Sequence, residues 1–389
     1  MSTIVNPLEQ FHWTPQPAAE ELVHSLLDRF IAGSPEAAKL RDRMREETGT
    51  RLFDWIDSIH VPRAQDWPSR LTEVGFEEES TDSDVFVHAG GVFPRIVIGD
   101  VSEMQVYIKV ESVADFAAAY GVESTLIQGA PMSQLRLLPF APQLWAIERH
   151  GYRGFSLPKT DATRAIETCR HLEAFRTRRR DFDNEIDGFV HANDLIDVSI
   201  ARLGVDLTCD LFFRAEREFW QRRNRAARFQ KSRQDRLGLG WANHDHHTYR
   251  SSRKHFSRLI ATFEKLGFVC RERFYPGADA GWGAQVLEQP NAGVIIFADV
   301  DISPDELFND FAHEPLPEHE HLGTVGLWCA LHGEAFLQAG MHHLECQFDF
   351  DSLKRQMEET GIRVMKPFTD FPYLRQAFTE GERWPVAEK

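Results

Sequence analysis

Histidine, aspartate and arginine crowd into one short stretch, Asn243-His244-Asp245-His246-His247-Thr248-Tyr249-Arg250, which runs into a segment of helical periodicity. A second histidine pair stands in Met341-His342-His343-Leu344-Glu345, again ahead of a helical segment. Two strands that each carry such a pair can supply the ligands of one mononuclear metal ion. Imidazoles plus one carboxylate, with positions left open, form the facial triad that suits non-heme iron(II), and manganese, cobalt and zinc accept the same donors. An isolated histidine is more often a satisfied core group or an exposed polar residue, but three histidines within residues 244–247 point to metal.

On an extended strand successive side chains alternate between faces. Asp245, His247 and Tyr249 are therefore expected on one face, and His244, His246, Thr248 and Arg250 on the other. If His246 binds metal, Arg250 shares its face and is placed to clamp a substrate carboxylate through a bidentate pair. His247 and Tyr249 are left with supporting or packing roles. On the second strand His343 and Glu345 share a face and His342 takes the other, so either histidine is a candidate ligand. Candidates for the carboxylate are Glu345, Glu380, Glu382 and Glu388; the expectation is Glu382, on a last strand over residues 373–384.

These segments are positioned by two stretches with the same order of elements. Residues 56–62 read as a strand, followed by a helix ending at Gly75-Phe76, strands at 84–88, 95–98 and 106–110, and a helix at 113–120. From residue 243 the order returns: a strand to Arg250, a helix over 257–266 ending at Gly267-Phe268, and strands at 269–274, 284–288 and 294–299. A Pro/His/Glu-rich loop over 303–323, the segment 324–330, a strand around His343 and a helix at 351–360 follow. Local parallels such as Leu71-Thr72-Glu73-Val74-Gly75-Phe76 with Phe263-Glu264-Lys265-Leu266-Gly267-Phe268, and residues 95–98 with 294–297, suggest an internal repeat. Between the copies, residues 160–236 carry apolar side chains at spacings of three and four and read as a helical insert. The expected organisation is α+β: N-terminal helices and a first repeat over 1–150, the insert over 151–238, and the histidine-bearing repeat over 239–389.

Bulk properties narrow the function. The formal charge of -16 over 389 residues disfavours nucleic acid and anionic membranes as partners, and the arginines at 176, 178, 179 and 180 and between 214 and 236 read as a solvated helix face with acidic partners. There is no run of 18 apolar residues, and the first residues lack the pattern of a signal peptide, so a cytoplasmic protein is expected. The five cysteines show no CxxC spacing and are expected to be reduced and structural. Glycines 277, 281 and 283 lack the Lys-Ser/Thr of a phosphate loop, and no Gly-x-Ser-x-Gly occurs.

At Asp245-His246-His247-Thr248-Tyr249-Arg250 the chain resembles the vicinal oxygen chelate superfamily, and within it the 2-oxoadipate dioxygenase/decarboxylase family. Further parallels are the Leu266-Gly267-Phe268 turn, Glu288-Gln289-Pro290, the Ser303-Pro304-Asp305-Glu306 turn, and His342-His343-Leu344. The resemblance covers residues 240–384, with a fainter echo over 56–121. It implies paired βαβββ modules with a helical insert, His246 and His343 as metal ligands, and Arg250 as the carboxylate clamp. It also implies an Fe(II) enzyme that uses O2 to decarboxylate a small 2-oxo acid. The family's closing Glu-bearing strand corresponds to Phe378-Thr379-Glu380-Gly381-Glu382-Arg383. Ser58 and Val106 fall where the first and second histidines of the N-terminal copy would stand, making that copy metal-free. Alternatives are an isomerase, lyase or ring-cleaving dioxygenase on the same scaffold, and a non-catalytic small-ligand binding protein.

Overall fold

The computed structural model describes residues 15–63, 66–80, 84–367, 375 and 377. Two helices, α1 (Pro17–Gly33) and α2 (Pro35–Thr48), open the described chain. Ser34 separates them because its hydroxyl caps α2 by accepting from the Ala37 amide at 3.3 Å, and Pro35 fits the first helical position, where no backbone donor is needed.

A seven-stranded mixed sheet follows, built from β1 (Ile56–Pro62), β2 (Phe76–Glu78), β3 (Val85–His88), β4 (Arg95–Gly99), β5 (Gln105–Lys109), β6 (Leu135–Ala141) and β7 (Leu144–Arg149) in the order β2-β3-β4-β1-β5-β7-β6. Helix α3 (Trp67–Glu73) links β1 to β2, and α4 (Val113–Tyr120) follows β5. A second mixed sheet contains β8 (His244–Arg250), β9 (Val269–Phe274), β10 (Trp282–Gln289), β11 (Val294–Asp301) and β12 (His343–Cys346) in the order β12-β8-β11-β10-β9. Helix α9 (Phe256–Lys265) joins β8 to β9, α10 (Thr324–His332) lies between β11 and β12, and α11 (Phe350–Glu359) follows β12.

Five strands of the first sheet and all five of the second share order and sense. In each, the leading strand (β1 or β8) runs parallel to β4 or β11 on one side and antiparallel to β5 or β12 on the other, and the remaining two strands continue antiparallel. Strands β6 and β7 are an addition to the first sheet alone.

Residues 162–235 are helical, as their apolar spacing implies: α5 (Ala162–Arg176), α6 (Glu185–Leu203), α7 (Val205–Arg223) and α8 (Arg225–Asp235). Helix α7 is buried along most of its length because it packs on the face of the second sheet that carries His247 and Tyr249. Phe213 meets both rings edge-on, and Glu216 accepts from the Tyr249 hydroxyl at 3.3 Å. Burying an aromatic such as Phe213 contributes roughly 1.5–3 kcal/mol. From the same helix Asp210 reaches His150, just beyond β7, at 2.9 Å, so α7 connects the two sheets. The first sheet has its own core, in which Val23, Leu26 and Leu27 of α1 join Ile59, Val61, Ile96 and Ile98. The arginines of the insert find acidic partners, Glu216 taking Arg178 and Arg180 and Glu218 taking Arg176, but they do not form the solvated face expected: Arg178, Arg217 and Arg233 are buried. Among the described residues no helix is long and apolar enough to cross a membrane, and all five cysteines are free thiols.

Candidate metal centre

Strand β8 follows the alternation its sequence implies. His247 and Tyr249 are fully buried towards α7. His247 sits between the Ile295 carbonyl and Arg217 Nη1, at 3.3 Å from each. His246, Thr248 and Arg250 lie on the opposite face. His244 departs from the pattern: the register slips between Glu345 and Cys346, and the His244 ring rests 5.0 Å from that of His247.

The antiparallel partner completes the site. Residues directly opposite in such a ladder share a face, and the register sets Glu345 across from His246 and His343 across from Thr248. Candidate ligand atoms of His246, His343 and Glu345 come within 4.8 Å of one another. Thr248 Oγ1 lies 2.9 Å from His343 Nε2 and fixes that ring, while His343 Nδ1 is buried with no hydrogen-bond partner. An orphaned imidazole nitrogen beside a second imidazole and a carboxylate is the donor set a divalent metal needs, since a buried polar atom without a partner is otherwise costly. Burial, reinforced by neighbouring His342, His246 and Arg250, pulls His343 well below the usual histidine range, which keeps it neutral, the form that binds metal. Phe297 of β11, paired with Thr248, packs its ring 4.5 Å from that of His246.

Arg250 ends the polar face. It is paired in register with Asp299 of β11, and its Nε lies 3.7 Å from Asp299 Oδ2. Its guanidinium is 5.5 Å from the centre of the Trp328 ring, so it is backed by an aromatic plane from α10. Burial pushes Asp299 up to about 7, because the nearby Arg250 and His246 offset only part of the desolvation. Helix α10 is held over this end by Asp301, whose carboxylate accepts from the Val325 and Gly326 amides at 2.8 and 2.7 Å. The approach requires glycine: a Cβ at Gly323 or Gly326 would lie 2.5 or 2.7 Å from the Asp301 carboxylate.

The structure therefore brings together His246, His343, Glu345 and Arg250 on one sheet face. His342 stands just before β12, and its ring lies 5.3 Å from that of Trp328, which also backs Arg250, and 4.9 Å from that of His343, so it is not turned away from the site as alternation implied. Glu382, Glu380 and Glu388, with the last strand expected over 373–384, lie outside the described residues. Thr248, Asp299 and Asp301 carry no motif; their signal is positional, because alternation from His246 reaches Thr248 and the parallel neighbour of Arg250 is Asp299.

One sequence-based expectation is corrected in the first sheet. Val106 does not occupy the position of the second histidine: it is fully buried, paired with Ile59 on the core side. Tyr107 is the residue opposite Ser58, and Gln105 the one opposite His60. A one-residue slip in matching strands exchanges the faces. The face bearing Ser58 holds no described metal-ligand group. The His60 ring lies tilted against that of Tyr107, 4.3 Å between centroids, and the Tyr107 hydroxyl donates to Gln105 at 3.0 Å. Behind it, Asp57 is caged by Arg149 and Arg95 at 2.7 and 3.3 Å.

No known protein-family profile matches this chain, and no curated protein is significantly similar to it in sequence.

Proposed function

We propose that this protein is a mononuclear metal-dependent enzyme in which His246, His343 and Glu345 hold a divalent ion and Arg250 binds a carboxylate of a small substrate. The carrying observation is the convergence of the three donors on one sheet face beside a buried, unpaired His343 Nδ1. In this reading the two sheets are paired βαβββ modules of vicinal oxygen chelate type, each with one further strand beside its first, as their common order and sense support. The first module is the metal-free one.

Bound there, iron(II) would supply Lewis acidity towards a chelating 2-oxo acid together with O2 chemistry, which is the basis for assigning a dioxygenase/decarboxylase. The chain's own residues provide the rest. Thr248 steadies the His343 ring through Nε2, and Nδ1 has no hydrogen-bond partner within the protein, so His343 would be available to hold the ion. Arg250, flanked by Trp328 and Asp299, offers a fixed fork to a carboxylate, and α10 restricts water on that side. Phe297 lends an apolar surface next to His246.

Asp299 favours a second reading. A buried carboxyl with its pKa near 7 can hold or release a proton at physiological pH, which suits an isomerase or lyase on the same scaffold.

The test is metal analysis of the purified protein, followed by oxygen-electrode assays of iron-loaded enzyme with a panel of 2-oxo acids. One metal per chain that is lost in His246→Ala, with oxygen uptake on a 2-oxo dicarboxylate, is the expected result. Stoichiometric metal without oxygen uptake moves the assignment to the isomerase or lyase, and absence of metal at saturating iron, manganese, cobalt and zinc overturns it.

A further inference from the structure

A second set of unlike donors gathers away from this face, at the corner where α9 passes into β9. Glu264 lies near the end of α9, Cys270 is the second residue of β9, and His313 comes from the turn inside the Pro/His/Glu-rich loop. Candidate ligand atoms of the three lie within 4.8 Å of one another. Glu264 and His313 are exposed and Cys270 is half-buried, so the cluster opens to solvent.

The loop holds its donor firmly. Phe311, two residues before His313, is fully buried 6.0 Å from the Phe256 ring, and the Arg273 guanidinium lies 4.9 Å over it. Arg273 also donates to the Leu307 and Asn309 carbonyls, at 2.8 Å each. His313 is oriented within that frame: Nδ1 is 2.8 Å from Asp310 and Nε2 is 2.9 Å from Glu264. A histidine whose one nitrogen faces a carboxylate while the other faces a carboxylate and a thiol has the carboxylate–histidine–metal arrangement of many zinc sites.

We propose that Glu264, Cys270 and His313 form a second metal site of zinc type, oriented by Asp310, that ties the 303–323 loop to the corner between α9 and β9. Sulfur, nitrogen and oxygen donors in one cluster match the tetrahedral preference of zinc, with the fourth position left to solvent. The ion takes the place of the proton at His313 Nε2 between the ring and Glu264. The Cys270 thiol proton is released to solvent as the thiolate binds. The site lies outside the His246 face and does not depend on the activity assigned there.

Cobalt(II) titration of chelator-treated, full-length protein tests the proposal, because only a cobalt–thiolate bond gives the intense ligand-to-metal charge-transfer band. The band should saturate in native protein, vanish in Cys270→Ser and persist in His246→Ala, where removal of the competing site should bring its saturation to one equivalent. Asp310→Asn should weaken cobalt binding at this site about 10- to 100-fold through the loss of ring orientation. Absence of the band in the native protein, its survival in Cys270→Ser, or its loss in His246→Ala would each overturn the site.

Discussion

The two sheets share an order of strands but differ in what occupies the face beside the leading strand. In the second sheet that face carries His246, Glu345 and His343, with an imidazole nitrogen left unpaired. In the first, the corresponding face is closed on itself: Ser58, His60, Gln105 and Tyr107 pair with one another, and Asp57 is neutralised by two arginines. The same order of strands thus carries a face with an unpaired imidazole nitrogen in one sheet and a satisfied face in the other. A scaffold sets where side chains stand, and residue type decides whether their polar atoms are left for a ligand.

The sharpest way to break this contrast is to remove the donors from each copy. His246→Ala or His343→Ala should abolish turnover and lower the bound metal by one ion per chain relative to native protein, whereas Ser58→Ala and Tyr107→Phe should keep the native metal content. Unchanged metal content in the histidine variants would erase the distinction between the sheets. Next in size is a stability effect confined to the first sheet. Despite burial, Arg149 and Arg95 hold the Asp57 carboxyl well below the usual range. Asp57→Ala leaves both guanidiniums buried without it and should reduce unfolding free energy by about 3–5 kcal/mol in denaturant titration, while metal stoichiometry is preserved.

Arg250→Gln probes the other end of the reactive face. Loss of a charged carboxylate contact of about 2–3 kcal/mol should raise KM for the substrate by roughly 10²-fold while the ion stays bound. A change in kcat alone would show that Arg250 does not hold the substrate.

The smallest expected effect concerns the joint between the copies. Burial by itself would lower His150, but Asp210 of α7 and Glu148 of β7 overcome it and lift the ring to about 10. Because the folded value exceeds the unfolded one, this stabilisation is complete below the ordinary value near 6.5 and is lost as pH rises towards 10. Native protein should therefore lose more stability than His150→Gln between pH 6.5 and 9, read from denaturation midpoints. Parallel pH profiles for the two proteins would show that the joint is held by other contacts.

Much of the local structure is legible in the chain. Strands β1 and β9 and helix α4 occupy the residues that their patterning indicates, and the apolar spacing of residues 160–236 resolves into four helices. Strands β2, β6 and β7 are not anticipated. Pro139 interrupts β6, which argues against a central strand, and the structure places β6 at the sheet edge, where a missing amide donor is tolerated. The slip at Val106 has a related origin: matching apolar runs by residue type carries no information on which face each residue takes.

Period-two alternation alone put His246, Thr248 and Arg250 on one face, left His247 and Tyr249 for the core, and joined His343 to Glu345. Tertiary structure decided that Glu345 stands across from His246, that Asp299 neighbours Arg250, and that Asp301 draws α10 and Trp328 over that arginine. The division is physical. Alternation is a property of each strand's own backbone, whereas register between β8 and β12 is set by pairing and packing over long sequence separations, which no local pattern encodes.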